Sequence, residues 1–292
     1  MASTRDIRGR IKSVKNTAQI TKAMQMVAAA KMRKAQQAAV VGRPYAALLN
    51  VMMAEAASGT VGFSHPLMEV RPVKKRAVIV VSSDRGLCGG LNGNIFREVA
   101  KLDKNTTVFV TAGKKAAQFI ARTKRSLAAE FTYKDTPQYA EARAISKAVQ
   151  AMFLKGEVDA VDILFPRFIN TLTQQPTLVP FLPIGQVTAA TAGIGAPKQE
   201  LAAHNTPDVY EFEPDEQTVL GQLLPHSLNF QMHQILLETK ASEQSARMVA
   251  MKNATDNAKQ IIKDLTLEYN KLRQANITKE LLEITTAQMA LG

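Results

Sequence analysis

Ser82 to Asn94 read SSDRGLCGGLNGN, the densest set of groups in the chain that could do chemistry: two serines, an aspartate, the only cysteine and four glycines. The stretch follows a β-branched run, Val78 to Val81, and precedes a segment with helical spacing. That is where a backbone cradle for a phosphate sits, at the amino end of a helix. The Gly-x4-Gly-Lys-Ser/Thr pattern is missing, so no lysine is placed to reach a β- or γ-phosphate. Gly-x-Gly-x-x-Gly is missing too, because Gly89 and Gly90 are adjacent and Gly93 stands three further on. The same glycines serve a tight strand-to-helix turn that needs positive φ. The absent motif elements favour that structural or protein-contact use over nucleotide binding.

Little else could react. The histidines stand at 65, 204, 226 and 233, with no ligand spacing to carboxylates or cysteine. His226 and His233 share a helical stretch but lie two turns apart, too far for one metal. No Ser, His and Asp set assembles from local signatures. A single cysteine, Cys88, excludes an intramolecular disulfide framework and a cysteine metal cluster, and suits a small buried apolar residue in a reducing compartment. KMRKAQQ, Lys31 to Gln37, could touch phosphates or acidic residues, although on an ordinary helix such a run is a solvated face. Tyr45 and Phe63 are too few aromatics nearby to stack single-stranded nucleic acid. No cofactor or metal is expected.

The elements that must carry these groups are two helical ends around an α/β block. Ile7, Ile11, Val14, Ala18, Thr21, Gln25, Ala28, Met32, Ala35 and Ala39 alternate steps of four and three, the 3.5-residue period of a left-handed coiled coil. Ala254, Ala258, Ile261, Leu265, Glu268, Leu272 and Ala275 repeat it, and Leu281, Ile284 and Leu291 continue it. Much of both stripes is Ala or Thr, which allows close approach but buries little per residue. One helix is expected from Ser3 to Ser58 with a kink or break at Pro44, ended by Gly59, Gly62 and Pro66. Glu213-Pro214-Asp215-Glu216 starts the other, with a break expected at Pro225.

Between them Val78 to Val81 predicts a buried parallel strand, Asn92 to Lys101 a helix, and Val108 to Val110 a second strand. Gln138 to Leu154 predicts a helix stopped by Gly156, and Val161 to Phe165 a third strand. FINTLTQQPTLVPFLPI follows as a strand pair, and Thr188 to Thr206 as a loop. Alternating strands and helices make a parallel sheet with helices on its faces. The expected boundaries are 1–58 for the first coiled-coil helix, 59–76 for a connection, 77–212 for the α/β domain and 213–292 for the second helix.

At 292 residues the chain can bury one sizeable core with extra architecture, or two domains. No run of 18 apolar residues occurs, so no membrane-spanning helix is expected. The first twelve residues, MASTRDIRGRIK, lack the pattern of a secretory signal, and the helical stripe already starts at Ile7, which weighs against a transit peptide. The net charge of +12 is uneven. Ser3 to Ser58 hold ten Lys or Arg against Asp6 and Glu55, whereas Asp215 onward holds eight basic against nine acidic residues. Such a field attracts nucleic acid, anionic lipid or an acidic protein surface. From these residues alone the chain reads as a helical shaft with an α/β knob, and a structural subunit, a nucleotide-dependent enzyme built on Asp84 to Gly93, and a basic coiled-coil adapter all stay open.

Longer motifs carry a resemblance. RIKSVKNTAQITKAMQMVAAAKMRKAQ, SSDRGLCGGLN, FINTLTQQPTLVPFLP and ASEQSARMVAMKNATDNAKQ…YNKLRQANITKELLEI resemble, in order and over essentially the whole chain, the gamma subunits of the F-type ATP synthases. The resemblance implies an α/β fold plus a long antiparallel coiled coil, with the terminal helices as a shaft and a central Rossmann-like α/β domain of mostly parallel sheet. It implies a rotor turning inside three alpha and three beta subunits, footed on the membrane c-ring beside epsilon, with catalysis on beta and no active site or nucleic-acid partner of its own. Met24, Arg247, Arg273, Gln274, Thr278 and Glu280 then face the beta subunits. Tyr210 and Glu213 then belong to the foot. Asp84, Arg85, Gly86, Leu87, Cys88, Gly89, Gly90, Leu91 and Asn92 form a knob near epsilon and the outer stator. The single cysteine departs from the redox-controlled chloroplast type, and the start resembles a bacterial form, at the cytoplasmic face of the inner membrane. Thr285 to Met289 and Pro225 depart from the family pattern.

Overall fold

The computed structural model describes residues 3–59, 65–184, 213 and 216–291. Tyr210, His204 and the expected 188–206 loop lie outside them. The elements are α1 (Thr4–Gly59), a 3-10 turn (Pro66–Met68), β1 (Arg76–Val81), α2 (Leu91–Lys101), β2 (Thr107–Ala112), α3 (Lys114–Arg122), β3 (Leu127–Phe131), α4 (Tyr139–Leu154), β4 (Ala160–Phe168), β5 (Gln174–Leu182) and α5 (Glu216–Leu291). They divide into two compact units, one of residues 1–28 with 247–292 and one of residues 29–246.

In the first unit the amino-terminal part of α1 pairs antiparallel with the carboxy-terminal part of α5. Arg8 Nη2 donates to Tyr269 Oη at 2.6 Å, and Thr21 Oγ1 meets Thr255 Oγ1 at 2.8 Å. Ser3 and Asp6 close the start of α1 reciprocally: the Asp6 amide donates to Ser3 Oγ and the Ser3 amide to Asp6 Oδ2. On α1 the expected side chains are covered, with Ile7 and Ala28 buried and Ile11, Val14, Ala18, Thr21 and Gln25 half-buried, and Thr4 and Met24 are half-buried beside them.

On α5 the seam is Met251, Ala254, Thr255, Ala258, Ile262, Leu265, Tyr269 and Leu272. This corrects the expected stripe at three places, because Ile261 is 48% exposed and Glu268 and Ala275 are exposed. Adjacent isoleucines at 261 and 262 allow either phase, and the large side chain of Tyr269 decides it. Past Leu272 no described side chain of α5 is covered. Leu281 and Ile284, expected to continue the stripe, are 57% and 61% exposed.

The second unit is built on a five-stranded sheet in the order β3-β2-β1-β4-β5, with β1 to β4 parallel and β5 antiparallel. Alternation along β1 assigns its faces. Val78 and Val80 join Phe109, Leu164, Ile95, Val99, Ala116 and Ile120 beneath α2 and α3. Ala77, Ile79 and Val81 join Val110, Ile163 and Phe165 in a larger cluster with Ile145, Val149 and Phe153 of α4 and Leu228, Met232 and Ile235 of α5. Burial on both faces is why β1 reads as an unbroken apolar run.

Four expectations change. Val161 to Phe165 belongs to the fourth strand. β3 has no β-branched run because it is a half-exposed edge. The segment after Phe168 is one strand, β5, pairing back on β4, and its Pro176 and Pro180 sit at an edge that tolerates a missing amide. Finally, α1 and α5 continue through Pro44 and Pro225 instead of breaking.

Candidate functional site

The expected knob leaves the carboxyl end of β1 and is closed by its own side chains. Ser83 Oγ donates to the Arg85 carbonyl at 2.7 Å, and Asn92 Nδ2 lies 2.7 Å from Ser83 Oγ and 3.4 Å from Cys88 Sγ. The Ser83 amide donates back to Asn92 Oδ1 at 3.4 Å. Asp84 Oδ1 accepts the Lys114 amide at 2.9 Å and so caps α3. Ser82 Oγ accepts the Ala116 amide at 2.9 Å. The polar groups that might have cradled a phosphate are thus engaged in holding the turn.

Positive φ falls at Gly89 (59°), as the glycines implied, and at Leu87 (63°), which they did not. Cys88 is buried between these two residues, while Leu87 stands 61% exposed. Arg85, Gly86, Gly89 and Gly90 are exposed, Asp84 and Asn92 half-buried, and Leu91 buried in the first turn of α2. A leucine held in the left-handed region and turned outward is displayed, because an L side chain there costs energy that a glycine would avoid. Gly113 is the other strict position. Its φ is 110°, and a Cβ would lie 2.2 Å from the Ser82 carbonyl oxygen.

In open α/β sheets ligands bind beyond the carboxyl ends of the strands, where strand order reverses. Here that place lies between β1 and β4, and this chain fills it. Tyr133 Oη donates to the Ser82 carbonyl at 2.9 Å. Lys240 of α5 sits with Nζ 4.8 Å from the Tyr133 ring centroid and 3.0 Å from Glu243 Oε2. The Phe168 amide donates to Glu238 Oε1 at 3.0 Å, and Ser245 Oγ to the Thr171 carbonyl at 2.7 Å. Asp135 links outward, 2.5 Å from Lys31 Nζ of α1 and 3.8 Å from Lys240 Nζ. Burial pushes the Tyr133 hydroxyl well above its ordinary pKa, and the carboxylates of Glu243 and Asp84 push the same way. The hydrogen bond from Lys31, helped by the charge of Lys240, holds Asp135 below the usual carboxylate range. Sequence reading passed over this network because its members lie up to two hundred residues apart.

The helix residues singled out by resemblance fall at two levels of the first unit. Met24 is half-buried and Arg247 is 9% exposed. Arg273, Gln274, Thr278 and Glu280 are exposed on α5 beyond the last seam residue, Leu272. From Arg247 to Gln274 the helix rises roughly 40 Å, so the two groups cannot meet one small ligand. Glu213 is an exposed bend residue. Among the described residues no set of three His, Cys, Asp or Glu side chains could hold a metal ion, and no helix is long and apolar enough to cross a membrane.

Comparison with known proteins agrees with this geometry. The family model described as ATP synthase matches residues 3–291. The ATP synthase gamma chain of Opitutus terrae is 48% identical over 99% of both chains, and that of Methylacidiphilum infernorum 44% identical over 100% of both. The Roseiflexus castenholzii gamma chain is 47% identical over 100% of this chain and 99% of its own. The fold is shared with a chain of the Euglena gracilis mitochondrial ATP synthase OSCP/F1/c-ring assembly in rotational state 3, at TM-score 0.70 and 19% identity over 99% of this chain and 94% of that one. It is shared also with a chain of the Tetrahymena thermophila mitochondrial ATP synthase central stalk and c-ring, at TM-score 0.60 and 24% identity over 80% and 99%. Full-length identity at this level, on a paired-helix and filled-crevice architecture, places the chain in the ATP synthase gamma chain family.

Proposed function

We propose that this chain is the central rotor shaft of an F-type ATP synthase, carrying torque between an ion-driven c-ring and a hexamer of three alpha and three beta subunits. The observation that carries the reading is the far end of α5. Beyond Leu272 it runs on as a helix without a partner among the described residues, with Ile277, Leu281, Leu282, Ile284 and Met289 between 48% and 85% exposed. Apolar residues around an isolated helix are stable in a complex that covers them.

A shaft in a sleeve must be stiff, and it must not bind one angle much more tightly than the others. Three near-equal wells are needed, because one deep contact would stall rotation. Ala, Thr and scattered charges suit this better than large aromatic anchors, and the chain has no tryptophan. The basic excess on α1 suits acidic loops on the beta subunits. In this reading Met24, Arg247, Arg273, Gln274, Thr278 and Glu280 meet beta, and Tyr210 and Glu213 belong to the foot on the c-ring. Asp84 to Asn92 face epsilon and the outer stator. Chemistry stays on beta, and the chain sits peripherally at the cytoplasmic face of a bacterial inner membrane.

Native mass spectrometry of the complex purified through a tag on this chain tests the reading. One copy with three each of two larger nucleotide-binding subunits is expected; a symmetric homo-oligomer would overturn it. Within that complex, Arg247→Ala and Gln274→Leu should impair coupling of ATP turnover to ion pumping. If both leave coupling untouched, the contact assignment is wrong.

A further inference from the structure

The four parallel strands of the second unit enter the sheet from one end, and every entry carries cations. Lys74 and Lys75 precede β1, Lys101 and Lys104 precede β2, Arg122 and Lys124 precede β3, and Lys155 precedes β4. Hydrogen bonds tie the entries into one face. Asp159 Oδ2 accepts the Lys74 and Lys75 amides at 2.8 and 2.9 Å, and the Arg76 amide donates to the Thr106 carbonyl at 2.9 Å. Arg125 Nη1 donates to the Leu102 carbonyl at 2.9 Å, which joins the approach to β3 to the approach to β2. Most acids of this face are engaged by fixed partners: Glu69 by Arg71, Glu98 by Lys101, Asp162 by Arg76, and Asp103 by the Asn105 amide and the Thr106 hydroxyl. Glu157 stands in solvent. Lys75, Lys104, Arg122, Lys124 and Lys155 are exposed or nearly so and close no ion pair among the described residues. Lys124 is held at φ 52°, where a glycine would carry no strain, and its charge stays in water.

Aliphatic side chains stand among these cations. Val70 and Val73 are 68% and 52% exposed, and Leu154 is 49% exposed. Arg71, between the two valines, donates from Nη1 to the Phe153 carbonyl at 3.2 Å and lies with Cζ 5.2 Å from the Phe153 ring centroid. The valine segment is thereby fixed beside the end of α4 that carries Leu154. Exposed aliphatic residues among lysines suit a surface offering both hydrocarbon and negative charge, as the headgroup zone of an anionic bilayer does. An acidic protein fits less well. All the entry cations but Arg122 are lysines, flexible point charges that can follow mobile headgroups, whereas fixed carboxylates favour the arginine fork. Among the described residues no exposed aromatic side chain stands on this face as an interface anchor.

The course of α5 gives the face its direction. Lys240 lies at the opposite, carboxyl ends of the strands, over Tyr133, and α5 begins roughly 36 Å earlier along its axis, at Glu216. Its first turns therefore lie toward the amino ends. We propose that Val70, Val73 and Leu154, with the lysines around them, form a docking surface for the anionic leaflet of a bilayer. This rests on the rotor reading, which assigns Glu213, just before α5, to the foot on the c-ring; a foot there brings this face to the lipid around the ring.

Flotation of the full chain with phosphatidylglycerol or phosphatidylcholine vesicles tests the surface without assuming the rotor. The wild type should bind the first and not the second. Lys75→Glu with Lys104→Glu should weaken that binding about tenfold or more. Lys12→Glu with Lys15→Glu, the same charge change on exposed residues of α1, should weaken it less than about twofold. Val70→Ser with Val73→Ser keeps every charge and should weaken binding about threefold or more, and it keeps the test alive if the first pair fails to fold. Equal losses from the two charge reversals would show only the attraction of a basic chain for an anionic surface, and would overturn the face. So would full binding by the valine variant, or no preference between the lipids. In the purified complex, Lys75→Glu with Lys104→Glu should leave the subunit composition intact; loss of the c-ring would make this a protein contact and overturn the proposal. A wild-type chain that binds vesicles as expected but assembles only with itself would overturn the rotor reading and leave the lipid surface standing.

Discussion

Thr21 Oγ1 and Thr255 Oγ1 meet at 2.8 Å in the seam between α1 and α5, where a strong zipper would bury two apolar side chains. Thr255 Oγ1 also donates to the Met251 carbonyl at 2.8 Å, and Thr21 Oγ1 to the Ala18 carbonyl at 3.1 Å. Two hydroxyl protons serve three contacts, so removing one hydroxyl leaves the other with its own backbone alone. Thr255→Val should lower stability by about 1 kcal/mol, and Thr21→Val with Thr255→Val should recover most of the loss, because the double variant no longer sets a hydroxyl that has lost its cross-helix partner against an apolar side chain. Denaturant unfolding of the purified chain, followed by circular dichroism through a double-mutant cycle, reads this directly. Additive losses would mean that the hydroxyls act separately.

Lys240 and Glu243 are 3% and 4% exposed as side chains and 3.0 Å apart. Desolvating both costs about as much as their attraction returns, but removing one leaves the other's buried charge less well compensated. Lys240→Met or Glu243→Gln alone should therefore cost about 3–5 kcal/mol, and the pair together much less. Because Lys240 also lies over Tyr133, which bonds the base of the knob loop, Lys240→Met should speed amide exchange in residues 84–92. A stable Lys240→Met chain with an unaltered loop would show that the network is not what holds the knob.

Two aspartates three residues apart should respond oppositely to acid. Asp159 accepts the amides of Lys75 and Lys74 at 2.9 and 2.8 Å, which hold its carboxyl below the ordinary value. Its contribution is therefore present above the unfolded carboxylate range, near ~3.9, and lost as pH falls through the lower folded value. Burial pushes Asp162 up, against the pull of Arg76 at 2.7 Å. Its favourable contribution is full below the unfolded value and is lost as pH rises through the raised one. Asp159→Asn should lower the urea midpoint at pH 7 and flatten the acid loss. Asp162→Asn should leave the midpoint at pH 7 equal or higher. Parallel responses of the two variants would contradict these assignments.

What the sequence made legible follows from the range of the interactions involved. The seam residues Ile7 to Ala28 and the β1 run Val78 to Val81 declare themselves because burial repeats along neighbouring positions. The phase slip to Ile262 and Tyr269 arose where two apolar residues adjoin and local periodicity is satisfied either way. β3 was missed because an edge strand with one wet face needs no β-branched run. A kink or break was expected at Pro44 and a break at Pro225, as local propensity says, but extended packing carries both helices through. Tyr133, Lys240 and Glu243 left no local mark, since their meeting depends on α5 returning over the sheet.

Leu87 gave no sign either, because positive φ is sought at glycine and asparagine. Its φ of 63° and its 61% exposure set two effects against each other. Replacing it by Asn, which tolerates the left-handed region, relieves strain of about 1 kcal/mol and gives up little burial. Leu87→Asn should therefore leave the isolated chain equally stable or more stable by up to about 1 kcal/mol. If the knob docks on a neighbouring subunit through this side chain, the same change should weaken assembly: a displayed apolar residue gives nothing to the free chain and something to an interface. Thermal unfolding of the chain and its retention in the purified complex, measured side by side, separate the two effects. Higher stability with unchanged assembly would reduce Leu87 to a strained turn residue, whereas lower stability would mean that its side chain rests on this chain's own surface.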